Sequence, residues 1–502
     1  MTTAAVTIDG RTLTLRALRA VAVDGARVAL ADDARVRMVA SRAVVDGIVA
    51  SGAAVYGVTT GFGKMSDVRI PPDKLAELQV NLVRSHVTGV GPLLAKREVR
   101  AMMLLRANVL AAGHSGARPA LVDLLLAMLN ADLWPPVPEQ GSVGASGDLA
   151  PLAALALSLI GEGDLFRGDA RMPAAAALAD AGLGPVTLAS KEGIALINGT
   201  QAHTAVSALA VLDAMTLWDT AQVAGAMTLD ALRGTPDAFD DRIHAARGQA
   251  GQREAAERLR LLLEGSAIRE SHRANDPRVQ DAYALRCMPQ VHGPALDAIR
   301  FAEGLLAREA NAATDNPLVF DDGTLLSGGN FHGQAGALAA DVLAIALTNL
   351  ATMSERRIDR LVHPDLNEGL PPFLAHEPGL HSGFMMAQVA AAALASECKP
   401  LSHPASVDTI PTDGGKEDVV PMAMGAALKL RRVVHNVAHV LAIELMCAAQ
   451  GIEGRRPLRS SPRLEDAVAR VRRLVPRLEG DRVLSGDIAA LARAILTGTF
   501  LV

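Results

Sequence analysis

The sequence predicts an all-α protein. Half of the residues are hydrophobic but only 3% are aromatic, so the core must be built from Ala, Leu, Val, Ile and Met. Long stretches carry apolar residues at three- and four-residue spacing, the period of a helix with one buried face. Strand signals are confined to a short N-terminal segment. At 502 residues the chain can form two or three domains or one large helical body.

Taken in order, Val6–Ile8, an Asp9-Gly10 turn and Leu13–Leu15 read as a small hairpin, because Asp-Gly supplies the positive φ such turns need. Helical spacing then predicts helices over Asp32–Val49, Lys96–Ala112 and Ala120–Leu129. Gly- and Pro-rich interruptions at 57–63, 134–147 and 198–199 mark loops, where sites are commonly built on a rigid scaffold. Beyond residue 200 the helices become long and alanine-rich. Gly333–Thr352 is apolar enough for a membrane span, but Asp341 inside it and Glu355-Arg356-Arg357 after it predict a buried bundle helix. Ser382–Ser396 and Val433–Ala449 read the same way. The basic stretch Arg455–Arg482, with three prolines, reads as a connector and surface helix. The expected organisation is an N-terminal domain over residues 1–200 and a helical bundle with C-terminal helices over 201–502.

Composition and motifs exclude several chemistries. A net charge of −5 argues against binding nucleic acid or an anionic membrane. Cys287, Cys398 and Cys447 form no CxxC pair, which excludes a disulfide framework and a cysteine zinc module. The N-terminus lacks an export signal pattern, so the expected compartment is the cytoplasm. Gly57–Lys64 misses the phosphate loop at Val58 and Met65, and no dinucleotide fingerprint follows a strand. Ser146 misses the GxSxG elbow by one residue. His435 and His439 have metal-ligand spacing but no third ligand, so they read as helix-face histidines and no metal is expected.

A different constellation survives. The chain has only two tyrosines: Tyr56 opens the glycine loop through Gly63, and Tyr283 lies between Gln280 and Arg286. On a helix Gln280, Tyr283 and Arg286 would share one face, a carboxamide, a phenol and a guanidinium suited to an amino acid. Residues 141–152 read GSVGASGDLAPL, with Asp148 placed to cap an apolar helix over Leu149–Ile160. Capping accounts for the Asp and the apolar run, and leaves the small-residue string before them unexplained.

That string resembles the signature of the aromatic amino acid ammonia-lyase family. Its Ala-Ser-Gly triad cyclises and loses water to form a methylidene-imidazolone (MIO) electrophile. Ala145-Ser146-Gly147 match the triad, and the likeness continues through residues 81–86 (NLVRSH), 196–201 (LINGTQ), 280–286, 327–332 (SGGNFH) and 416–418 (KED). The resemblance implies a fumarase/aspartase-like helical bundle, MIO as the cofactor without metal, nucleotide or PLP, and a homotetramer with shared active sites. It implies Tyr56 as the base for the β-proton, Asn198 and Tyr283 beside the MIO, Gln280 and Phe331 packed around it, and Arg286 on the substrate carboxylate.

Ser85-His86 and Glu417 match the histidine-specific members. A histidine and a carboxylate together suit an imidazole, which has one donor and one acceptor nitrogen. The expected reaction is elimination of ammonia from L-histidine to trans-urocanate. Thr59, Lys416, Gly333-Gln334 and Val420-Pro421 depart from those members, and Lys416 is a candidate ion-pair partner for Glu417. The alternatives are an MIO lyase or 2,3-aminomutase for another aromatic or heteroaromatic amino acid, and a catalytically silent scaffold or ligand-binding homologue with an unmodified triad.

Overall fold

Helical periodicity in the sequence becomes helix in the computed structural model, which describes residues 5–274 and 276–501, and two of the later helices run ten residues beyond an expected end. The expected N-terminal helices are Asp32–Ser51, Lys96–Ala111 and Pro119–Asn130, and the later ones are Gln334–Val362, Met385–Leu401 and Ala423–Glu453. The strands among the described residues are two to four residues long, in small two- and three-stranded sheets, so the fold is all-α. Within the basic C-terminal stretch the helix is Pro462–Leu474, capped by the Ser461 hydroxyl.

The N-terminal segment differs from expectation, and short strands occur outside it, as at Asp164–Arg167 and Ala170–Pro173. Val6–Ile8 pairs in parallel with Val28–Leu30 and forms no hairpin. The Asp9 carboxylate accepts the N–H groups of Arg11 and Thr12, at 2.8 Å each, and bends the chain into the helix Leu15–Ala22. Thr14 caps that helix by accepting the Ala17 N–H at 3.1 Å. A parallel partner requires such a crossover, which no two-residue turn could supply.

The chain divides into two compact units. The first holds residues 1–209, 303–341 and 404–428; the second holds 210–302, 342–403 and 429–502. Phe331 and Glu417 therefore belong with the N-terminal site residues in the first unit. There the helices Leu75–His86, Leu149–Leu159 and Glu192–Ile197 pack against one another. Gly193 permits this: a Cβ would lie 2.9 Å from the Gln79 carbonyl oxygen, and its N–H bonds the Gln79 side chain at 2.8 Å. His86, the triad and Asn198 all sit at the ends of these three helices.

Among the described residues two helices are long and apolar enough to cross a membrane, Gln334–Val362 and Ala423–Glu453, and both are mostly buried within the protein. The second unit centres on a fully buried ion pair, Arg357 Nη2 to Glu444 Oε2 at 2.9 Å. Thr228 and Ser354 donate their hydroxyls to the same carboxylate at 2.8 and 2.6 Å. Removing one member leaves the other charge buried and unpaired. Glu444→Ala is therefore expected to cost about 3–5 kcal/mol, read as a lower denaturant midpoint.

Candidate active site

The Gly144-Ala145-Ser146-Gly147 turn closes on itself through a backbone bridge between its two glycines. Gly147 has φ +70° and packs on Gly199, where a Cβ would lie 2.1 Å from the carbonyl oxygen. Only glycine fits there. Asp148 follows at the first turn of Leu149–Leu159, and its N–H donates to Gly199 O at 2.7 Å.

The Asp148 side chain does not cap the helix. It accepts the Ser142 hydroxyl at 2.8 Å and the His203 N–H and Nδ1, at 2.9 and 2.8 Å. Both side chains are fully buried. Burial pushes the Asp148 carboxyl up, but the His203 charge and these hydrogen bonds hold it below the ordinary carboxylate range. The residue anchors the loop that carries the triad.

Asn198 ends the helix Glu192–Ile197. Its Nδ2 donates to the Ser146 carbonyl at 3.0 Å, while its own carbonyl accepts the buried Arg106 Nη1 at 2.8 Å. Its Oδ1 is buried without a partner. The Ser146 hydroxyl donates to Glu417, and Thr412 donates to the other oxygen of that carboxylate. Both Glu417 oxygens are thus engaged by hydroxyls, and Lys416 takes no part.

His86 occupies the last turn of Leu75–His86. Its Nδ1 lies 2.8 Å from the Leu82 carbonyl oxygen, with Ser85 Oγ at 3.0 Å. A carbonyl only accepts, so Nδ1 carries the proton and Nε2 remains for a ligand. Tyr56 is partly buried at the head of its loop. Burial raises its phenol above the ordinary value, the Gly63 N–H it accepts opposes this, and the Asp413, Asp315 and Glu417 charges raise it further. Thr59 closes the turn behind it, donating to Ala53 O at 2.7 Å and accepting the Val55 N–H at 2.8 Å.

Tyr56, His86, Ser146, Asn198 and Glu417 line one pocket of about 400 Å³. An adjoining pocket of about 640 Å³ shares Tyr56, Ser146 and Glu417 and adds Ala145, Phe331 and Lys416. Gln280, Tyr283 and Arg286 line neither and lie in the second unit. Nor do they share one helix: only Tyr283–Arg286 is helical, and Ala282 before it is extended. Asp281 holds that entry by accepting the Thr235 N–H at 2.7 Å. Tyr283 is 70% exposed, and the Arg286 guanidinium stands 4.8 Å from its ring centre. A separate cavity of about 320 Å³ in the second unit is lined in part by His376, Arg477 and Glu479, and Gln450 there donates to the Leu374 and Leu478 carbonyls. Asp413, Thr412 and Arg106 stand out only in three dimensions; the adjacent Gly414-Gly415 was the one sequence signal of an unusual turn.

Comparison with known proteins places this geometry in a family. The family model described as aromatic amino acid lyase matches residues 13–473. A relative named histidine ammonia-lyase, from Anaeromyxobacter dehalogenans (strain 2CP-C), is 57% identical over 500 residues, covering 98% of each chain. The crystal structure of histidine ammonia-lyase from Trypanosoma cruzi superposes with a TM-score of 0.92 at 44% identity, covering 99% of this chain and 94% of that one. Tyrosine aminomutase from Streptomyces globisporus gives 0.94 at 40% identity, with 99% and 98% covered. The chain belongs to the aromatic amino acid lyase family.

Proposed function

We propose that this enzyme eliminates ammonia from L-histidine to give trans-urocanate, using an MIO group formed from Ala145-Ser146-Gly147. Family membership implies that group. The closed Gly144–Gly147 turn, the exclusion of any side chain at Gly147 and the unpartnered Asn198 Oδ1 beside Ser146 all fit it. When formed, it supplies an electrophile that makes the amine a better leaving group, a role no ordinary side chain can fill.

One observation carries the choice of histidine. The pocket that holds Ser146 and Tyr56 also holds His86, with Nε2 free, and the Glu417 carboxylate. Both groups accept hydrogen bonds, so an imidazole N–H can donate to either and an imidazolium to both, whereas a phenyl ring can donate to neither. Tyr56 takes the β-proton, Asn198 holds the triad by donating Nδ2 to the Ser146 carbonyl, and Phe331 packs beside them. Gln280, Tyr283 and Arg286 serve a site in another copy, Arg286 on the substrate carboxylate, which is the reason for a homotetramer. Three free cysteines suit a cytoplasmic enzyme.

The test is ammonia release from L-histidine, L-phenylalanine and L-tyrosine in parallel, with urocanate absorbance followed. Release from histidine alone, in step with urocanate, is the expected result. Release from another amino acid would overturn the reading of His86 and Glu417. The likeness to a tyrosine aminomutase supports a second reading, which a β-amino acid product would reveal.

A further inference from the structure

We infer that Asp413 is a positioning residue for the base, a latch that holds the loop bearing Tyr56 over the triad. This rests on the role proposed for Tyr56. The loop makes one short helical turn over Gly63–Met65, and Asp413 begins another over Asp413–Gly415. Two consecutive N–H groups of the first turn face different acceptors. Gly63 donates to the Tyr56 phenol oxygen, and Lys64 donates to Asp413 Oδ1 at 3.3 Å.

The two turns are closely fitted. A Cβ on Gly63 would lie 2.4 Å from Asp413 Oδ2, so the carboxylate occupies space that only a glycine leaves open. Asp413 itself has φ +47°, a conformation that disfavours most side chains and that Asn and Asp tolerate best. Asp413 lines both pockets that contain Tyr56, Ser146 and Glu417. By holding Lys64, it fixes the adjacent Gly63 N–H on the phenol oxygen. That hydrogen bond favours the ionised phenol, while the Asp413 charge opposes it; the latch and the charge therefore act on Tyr56 in opposite senses.

Two variants separate these effects. Asp413→Asn keeps an acceptor for Lys64 and removes the charge. Asp413→Gly removes the side chain and tolerates the positive φ, so the backbone is not strained. Hydrogen exchange on the whole protein is the first readout. Asp413→Gly is expected to speed exchange over residues 57–66 by roughly tenfold, with Asp413→Asn close to wild type. Unchanged exchange in Asp413→Gly would overturn the latch.

The second readout is the pH profile with L-histidine. The other titratable groups around Tyr56 include His86, Asp315 and Glu417, Lys64 in its own loop, and Asp67, His332, Lys416 and Asp418 lining the adjoining pocket. These stay constant between variants. Asp413→Asn removes a negative charge, so the acid limb should move to lower pH by roughly half a unit. Asp413→Gly should lower kcat more than it changes KM, because the base is displaced and the substrate contacts remain. A limb that stays put in Asp413→Asn would overturn the charge effect. If L-histidine is not turned over by wild type, the proposed function falls while the exchange experiment still decides the latch.

Discussion

Ser146→Ala is expected to lose at most one water, whereas wild type should be lighter by two water molecules. In the proposed cyclisation the Gly147 nitrogen would attack the Ala145 carbonyl carbon, and the carbonyl oxygen would leave as the first water with the hydrogens of the Gly147 and Ser146 nitrogens. The Ser146 hydroxyl would leave with the Cα proton as the second. Without that hydroxyl no exocyclic methylene can form. Turnover of L-histidine should fall by roughly 10³-fold or more, since the reacting electrophile itself is lost. Circular dichroism and melting separate this from unfolding, because the variant should keep both. A wild-type chain at full mass would overturn the assignment of the triad.

Tyr56→Phe is expected to lower kcat by about 10²–10⁴-fold, the usual contribution of a positioned general base, with KM little changed. The pH dependence identifies the role. Burial and the neighbouring carboxylates raise the phenol above its ordinary value, with the Gly63 N–H opposing. The base acts in its ionised form, so in wild type kcat/KM should climb as pH rises through the alkaline range. The climb comes from the growing phenolate fraction. Phenylalanine has no ionising group, and the variant's residual activity should lack that limb. A variant retaining both the limb and most of its rate would assign the base elsewhere. Mass analysis applies here too, since Tyr56→Phe should still lose two waters.

Much of the molecule was legible because its signals are local. Apolar spacing places Lys96–Ala111 almost to the residue, because a helix buries residues according to their position along its own axis. The triad, the Ser85-His86 pair and Glu417 could be marked from short strings matching a family. Even the glycine at 147 has a local chemical reason, the freedom of its nitrogen.

Partner choice was not legible, because it depends on contacts between distant segments. Ser146 and Glu417 are separated by 271 positions, and nothing near either announces that a hydroxyl meets a carboxylate. Asp148 looked like a helix cap, which any Asp before an apolar run suggests. The fold instead buries it against His203, 55 positions on, where a charged hydrogen bond outweighs a cap. Lys416 looked like the natural partner of Glu417 by adjacency, yet Thr412 and Ser146 reach that carboxylate first.

The N-terminal strand was right in place and wrong in partner, since Asp-Gly bends a chain without saying where the next strand lies. Gln280, Tyr283 and Arg286 had the right spacing for one face, but Asp281 holds the backbone extended until Tyr283. The sequence by itself determined which segments are helical and which residues can do chemistry, because propensity and functional groups travel with each residue. Tertiary structure alone decided which groups meet at Ser146, because that depends on closing loops of tens to hundreds of residues, for which only packing in three dimensions provides the compensating energy.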